Sequence, residues 1–129
     1  MTTPSGSEIF LVDSSGWIEY LGDGKRANFF ARYLRDEKNV VVPTIVLYEV
    51  FKKLLRDHAK TAADRFVSHA FRCVIASLDE GIALAAARTS LELQMAMADA
   101  IIFSTAQSFQ AQLVTGDQHF RGLPGVILP

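Results

Sequence analysis

Five short apolar runs punctuate this chain: Ile9 to Val12, Val40 to Val42, Cys73 to Ala76, Leu113 to Val114 and Val126 to Leu128. Each meets Asp, Pro or Gly within three residues of its end. Runs this short and this apolar read as strands of a sheet covered on both faces. The stretches between them are longer and amphipathic, which predicts helices. Trp17, Ile18 and Leu21 suit a short helix, and Phe29, Phe30, Tyr33 and Leu34 have helical spacing within Lys25 to Asp36. Thr44 is a candidate cap for a helix over Ile45 to Leu55, followed by helices from Ala59 to about Phe71, from Gly81 to Leu93 behind an Asp79 cap, and from about Met97 to Phe109. Strands alternating with helices predict an α/β fold with a mainly parallel sheet.

At 129 residues, half of them apolar, the chain is sized for one domain. Residues 1–8, MTTPSGSE, are small and polar and read as a flexible lead to a domain over 9–129. Thirteen Lys and Arg against fourteen Asp and Glu leave a formal charge of −1, so no global basic field advertises a nucleic acid. Any polyanion must be held locally. Cys73 is the lone cysteine, which excludes an internal disulfide, and no Cys/His cluster has zinc-ligand spacing. The opening residues lack a basic and apolar leader, and no apolar run approaches the roughly 18 residues of a membrane span, so the expectation is a cytoplasmic protein away from membranes.

Four carboxylates stand where surface acids usually do not. Asp13 directly follows the first strand, at the end where open α/β sheets place ligands, although a helix cap would also account for it. Asp99 has Met95, Ala96, Ile102 and Phe103 as its helical neighbours, so its carboxylate faces inward; burial then needs a partner, and Arg88 is the only cation nearby in sequence. Glu49 lies among Ile45, Val46, Val50 and Phe51, with Lys52 and Lys53 available to pair with it. Asp117, in Thr115-Gly116-Asp117, matches Asp13 at the end of another strand. If the strands are neighbours, the four acids can converge. A like-charged pair at about 4 Å repels by about 4 kcal/mol at an effective dielectric near 20, so such a cluster calls for protons or a cation. Its all-oxygen donors suit Mg²⁺ or Mn²⁺, held by Asp13, Asp99 and Asp117, with Glu49 as a further ligand or a general base.

An acidic pocket loaded with divalent metal binds phosphate and stabilises charge on a leaving oxygen, which is the chemistry of phosphodiester hydrolysis. A polyanionic substrate also needs cations close by. Lys52, Lys53, Arg56 and Lys60 are the candidates, with Lys52, Arg56 and Lys60 on one face of a continuous helix, although Lys53 with Asp57 and Lys60 with Asp64 have the spacing of ordinary surface pairs. Ser14, Ser15 and Thr115 are supporting hydroxyls beside the acids. His58, His69 and His119 are scattered without metal spacing, and no glycine-rich phosphate loop is present.

The order of these pieces resembles the PIN-domain ribonucleases, and the length is similar to that of VapC-type toxins of prokaryotic type II toxin–antitoxin pairs. The resemblance rests on Leu11-Val12-Asp13-Ser14-Ser15, Pro43-Thr44 through Glu49, Ala98-Asp99-Ala100-Ile101-Ile102, Thr115-Gly116-Asp117-Gln118-His119-Phe120 and the closing Gly-Val-Ile-Leu-Pro. It departs before Asp99, where Leu93-Gln94-Met95-Ala96-Met97 is more apolar than the family's usual loop. The resemblance implies a single-domain, three-layer α/β/α fold around a mainly parallel, roughly five-stranded sheet. It also implies a Mg²⁺- or Mn²⁺-dependent endoribonuclease with Asp13, Glu49, Asp99 and Asp117 as its acidic quartet, a homodimer, and a small antitoxin partner that obstructs the pocket.

Three other readings compete. A PIN-like housekeeping RNA-processing nuclease would use the same acids on a different RNA. A non-catalytic α/β binding module would hold an ion without hydrolysing anything. An Asp13-nucleophile phosphatase is disfavoured, because that chemistry wants a second acid where Ser15 stands.

Overall fold

The computed structural model describes residues 8–129. The flexible lead expected over 1–8 lies outside the described residues except for exposed Glu8. Five strands alternate with six helices: β1 (Phe10–Val12), α1 (Ser14–Leu21), α2 (Ala27–Ala31), β2 (Val41–Pro43), α3 (Thr44–Arg56), α4 (Lys60–Phe71), β3 (Val74–Ala76), α5 (Glu80–Leu93), α6 (Met97–Ser108), β4 (Gln112–Val114) and β5 (Val126–Ile127). Two 3-10 turns, Glu37–Asn39 and Gln118–Phe120, complete the path.

All strand pairings are parallel. One ladder has the order β1-β4-β5 and a second pairs β2 with β3. A single parallel bridge between Phe10 and Val40 joins the two ladders, giving the sequence β3-β2-β1-β4-β5. The five strands expected are therefore present, as two ladders with one seam. Every residue of β1 and β2 is buried, although successive side chains point to opposite faces, so helices must cover both sides. This is the three-layer α/β/α arrangement. β3 is an edge, and its Val74 and Ile75 keep 39% and 37% of their surface exposed.

The core gathers Leu11, Trp17, Phe30, Val42, Val46, Phe66, Val114 and Phe120, all fully buried. Gly16 lets α1 lie close against it. A Cβ there would fall 2.5 Å from Val12 Cγ1 and 2.9 Å from the Phe30 ring, so a hydrogen is what fits.

Three local expectations are corrected. The helix over Lys25 to Asp36 is confined to α2, because Tyr33 and Leu34 donate to the carbonyls of Phe30 and Ala31 and tighten the chain out of α geometry. Phe30, Tyr33 and Leu34 are buried all the same. Pro43, not Thr44, occupies the cap position of α3, and no side chain caps that end. Lys52, Arg56 and Lys60 do not share one continuous helix: α3 stops at Arg56, His58 turns left-handed at φ 58, and Lys60 opens α4. His58 is a non-glycine in a conformation that favours glycine, so the residue type at the turn does not mark the change of direction.

Candidate active site

β1 and β4 are hydrogen-bonded neighbours with Val12 opposite Val114, so Asp13 and Thr115 leave the sheet side by side. This is the carboxyl end of a parallel sheet, where the strand order places ligands in α/β folds. Asp13 caps α1 and accepts from Gly16 N at 2.9 Å. It does more than cap. Ser15 Oγ donates to the same oxygen at 2.9 Å, Thr115 Oγ1 donates to the other, and the residue is only 5% exposed. Burial pushes the Asp13 carboxyl above its ordinary range; bonds from Thr115, Gly16 and Ser15 oppose this, and the charge of Asp117 adds to it.

Thr115 also accepts from Asp117 N at 2.9 Å, so one fully buried hydroxyl links Asp13 to the Asp117 backbone. Asp117 caps the 3-10 turn that follows, with Oδ1 2.9 Å from both the backbone N and the Nδ1 of His119. Glu49 projects from α3 and accepts from Ser14 Oγ at 2.6 Å. Neither lysine pairs with it: Lys53 Nζ lies 2.9 Å from Asp57, and Lys52 Nζ lies 3.1 Å from Tyr48 Oη.

Asp99 occupies the first turn of α6 and is half-buried, lining a cleft at the helix start rather than facing fully inward. Among the described residues it has no hydrogen-bond or ion-pair partner, and Arg88 does not meet it. Burial, then the charges of Asp117 and Glu49, raises the Asp99 carboxyl, while His119 pulls the other way. Asp99 thus senses Glu49 and Asp117, and Asp13 senses Asp117. The quartet occupies one end of the sheet within electrostatic range.

Among the described residues, no three His, Cys, Asp or Glu side chains are gathered closely enough to grip an ion as they stand. Asp13, Glu49 and Asp117 each bond to a local donor instead. The donor chemistry nevertheless fits a hard cation: four carboxylates from four elements, hydroxyl donors beside three of them, and no Lys or Arg in contact to neutralise any. Burial is the main reason the Asp13 and Asp99 carboxyls are raised, and the neighbouring acids add to it in both.

Ser14, Ser15 and Glu49 share a cleft of about 570 Å³ with Arg26, Lys52, Lys53 and Arg56. Lys60 is not part of it and pairs with Asp64 at 3.3 Å. Tyr48, 58% exposed, sits in the same cleft with Lys52 Nζ 5.2 Å from its ring centre. Arg26 and His119 were not singled out in the sequence. Arg26 reaches the site only because its guanidinium lies against Gly116, where a Cβ would stand 3.0 Å from Nη2, and nothing local in sequence signals that contact. His119 had a signal, since an Asp capping a tight turn faces the residue two positions on.

A family model described as PIN domain matches residues 10–126. Among solved structures, a toxin–antitoxin complex from Klebsiella pneumoniae is 26% identical, with a TM-score of 0.78 over 93% of this chain and 97% of that one. A DNA-bound VapBC from Salmonella typhimurium, 16% identical, has a TM-score of 0.74 over 95% of this chain and 97% of that one. The sarcin-ricin loop cleaving toxin VapC20 of Mycobacterium tuberculosis, 17% identical, has a TM-score of 0.71 over 89% and 95%. No curated protein sequence matches the chain.

Proposed function

The chain belongs to the PIN-domain family, and from that premise we propose that it is a Mg²⁺- or Mn²⁺-dependent endoribonuclease, the toxin of a toxin–antitoxin pair. One observation carries this reading: acids from β1, α3, α6 and the turn after β4 meet electrostatically at one end of the sheet, with no Lys or Arg set against them. Beside them lies a cleft lined by Arg26, Lys52, Lys53 and Arg56.

Asp13, Asp99 and Asp117 are the residues that would hold the ion, with Glu49 as a fourth ligand or as the base that takes a proton from water. When bound, such an ion offsets the acids' charge toward phosphate and stabilises charge developing on the phosphate oxygens. Ser14 orients Glu49, and Thr115 and Ser15 fix the Asp13 carboxylate. Lys52, Lys53, Arg56 and Arg26 hold flanking phosphates in the basic cleft. Lys60, paired with Asp64 outside that cleft, drops out of this set.

The Klebsiella likeness supports an antitoxin as partner, and the VapC20 likeness supports a structured RNA as substrate. A second copy of the chain is the expected oligomeric partner. In its favour, Leu78, Leu91 and Met97 are 47%, 83% and 71% exposed around an apolar groove formed with Ala83, Ala87 and Ala100. Among the described residues, no helix is long and apolar enough to cross a membrane.

Purified protein incubated with total RNA tests the reading. Cleavage is expected in Mg²⁺ or Mn²⁺ and not in EDTA, and Asp99→Asn is expected to lower the rate by about a hundredfold or more while the circular dichroism spectrum is kept. A folded Asp99→Asn protein that cleaves at the wild-type rate would overturn it.

A further inference from the structure

We propose that a second cleft, opening beside Asp99, receives an unpaired nucleobase adjacent to the scissile phosphate; this deepens the ribonuclease reading and rests on it. The cleft measures about 370 Å³ and is walled by Gln94, Met95, Asp99, His119, Phe120 and Leu123. That lies near the lower end of small-molecule clefts, roughly 300–1,000 Å³, and suits one flat group rather than a duplex.

Its chemistry is the opposite of the basic cleft. It has no Lys or Arg among its lining residues, and the two clefts share none. Ser14, Ser15 and Glu49 border one and Asp99 and His119 border the other, so each cleft has an acid of the quartet on its edge. A strand whose phosphate sits at the acids therefore sends one neighbour toward cations and the other toward apolar walls. Phosphate is served by the first. The second offers what a base needs: Met95 and Leu123 for its faces, the His119 imidazole for stacking, and the Gln94 amide, which both donates and accepts, for its edge, with buried Phe120 beneath them.

The backbone turn and the buried ring beneath the cleft are held by contacts of their own, while the side chains of Gln94 and His119 reach out from them. Ser90 Oγ donates to Met95 O at 2.7 Å, and Met95 N donates to Ser90 O at 3.1 Å, locking the turn that follows α5. Gln94 ends that helix in the left-handed conformation, φ 54. His119 is tethered by Asp117, and Phe120 is stacked on Phe103 at 6.5 Å between ring centres. A backbone already ordered loses little entropy on binding. Base pairs buried in an A-form helix cannot enter such a cleft, so the inference assigns the substrate to RNA with a single-stranded loop, bulge or end at the cut.

The test reads binding apart from cleavage. Adenosine, guanosine, cytidine and uridine are titrated into the metal-free protein in EDTA while the methyl signals of Met95 and Leu123 are followed by NMR. Saturable shifts are expected, with one nucleoside ahead, and Gln94→Ala is expected to compress the ratio between best and worst by about fivefold to tenfold. In Mg²⁺, the same variant should cut total RNA with a relaxed preference at one position flanking the cut. Absence of saturable shifts at both residues, or a nucleoside ranking untouched by Gln94→Ala, overturns the base cleft even if RNA is cleaved. Failure of wild-type protein to cleave any RNA, with the nucleoside shifts present, overturns the ribonuclease reading and leaves the cleft as a nucleoside site.

Discussion

The Thr115 hydroxyl donates to Asp13 and accepts from Asp117 N, while Asp99, close enough to feel Glu49 and Asp117, bonds to nothing among the described residues. That difference has a measurable consequence. The Asp99 carboxyl is raised above its ordinary 3.8 by burial first, then by Asp117 and Glu49. A carboxyl that holds its proton more tightly folded than unfolded contributes its stability below the unfolded value and gives it up as pH climbs through the folded one. In EDTA, Asp99→Asn is therefore expected to melt above wild type by a margin near zero at about pH 4 that widens toward neutrality. Calorimetry across that range checks it, and a margin that shrinks with pH would contradict the account. Asp13 and Asp117 were legible in sequence because each follows a short apolar run, and Asp99 because its helical neighbours are apolar. Arg26 was not, since it meets Gly116 only through tertiary packing.

At the scale of elements, α1 reaches β1 and α2 through the one residue without a side chain. Gly16→Ala would place a methyl 2.5 Å from Val12 Cγ1 and 2.9 Å from the Phe30 ring. Overpacking of this kind costs about 1–3 kcal/mol, expected as a lower urea midpoint with an unchanged slope. The first turn of α1 carries Ser14 and Ser15, so cleavage should fall as well. Strands and long helices were readable from apolar runs and helical spacing. The short α2 was not, because its tightening depends on carbonyl bonds that side-chain periodicity does not encode. The end of α3 was readable to within a residue, and what was not readable is the change of direction at Asp57-His58, which takes Lys60 away from the face that carries Lys52 and Arg56 without a glycine or proline to mark it.

At the scale of the molecule, a net charge of −1 conceals a local field. Arg26 comes from the start of α2 and Lys52, Lys53 and Arg56 from α3, and the fold brings them to one cleft. Lys52→Ala with Arg56→Ala is expected to raise KM for every RNA sequence with kcat held, and to lower the slope of log affinity against log salt by about 2. A changed sequence preference instead would mean that these residues read bases. The ladder seam lies beneath all of this. Asp13 and Asp117 are carried by the three-stranded ladder, whereas Glu49 rides on the helix leaving the two-stranded one, and the halves are joined by the backbone bridge from Phe10 to Val40 and by packing of α3 against α1 and α6. The gape between those two jaws is consequently governed by apolar fit at their root, such as the Phe10 and Tyr33 rings 5.0 Å apart. Evolution can widen or narrow the bite by repacking residues that never touch a ligand.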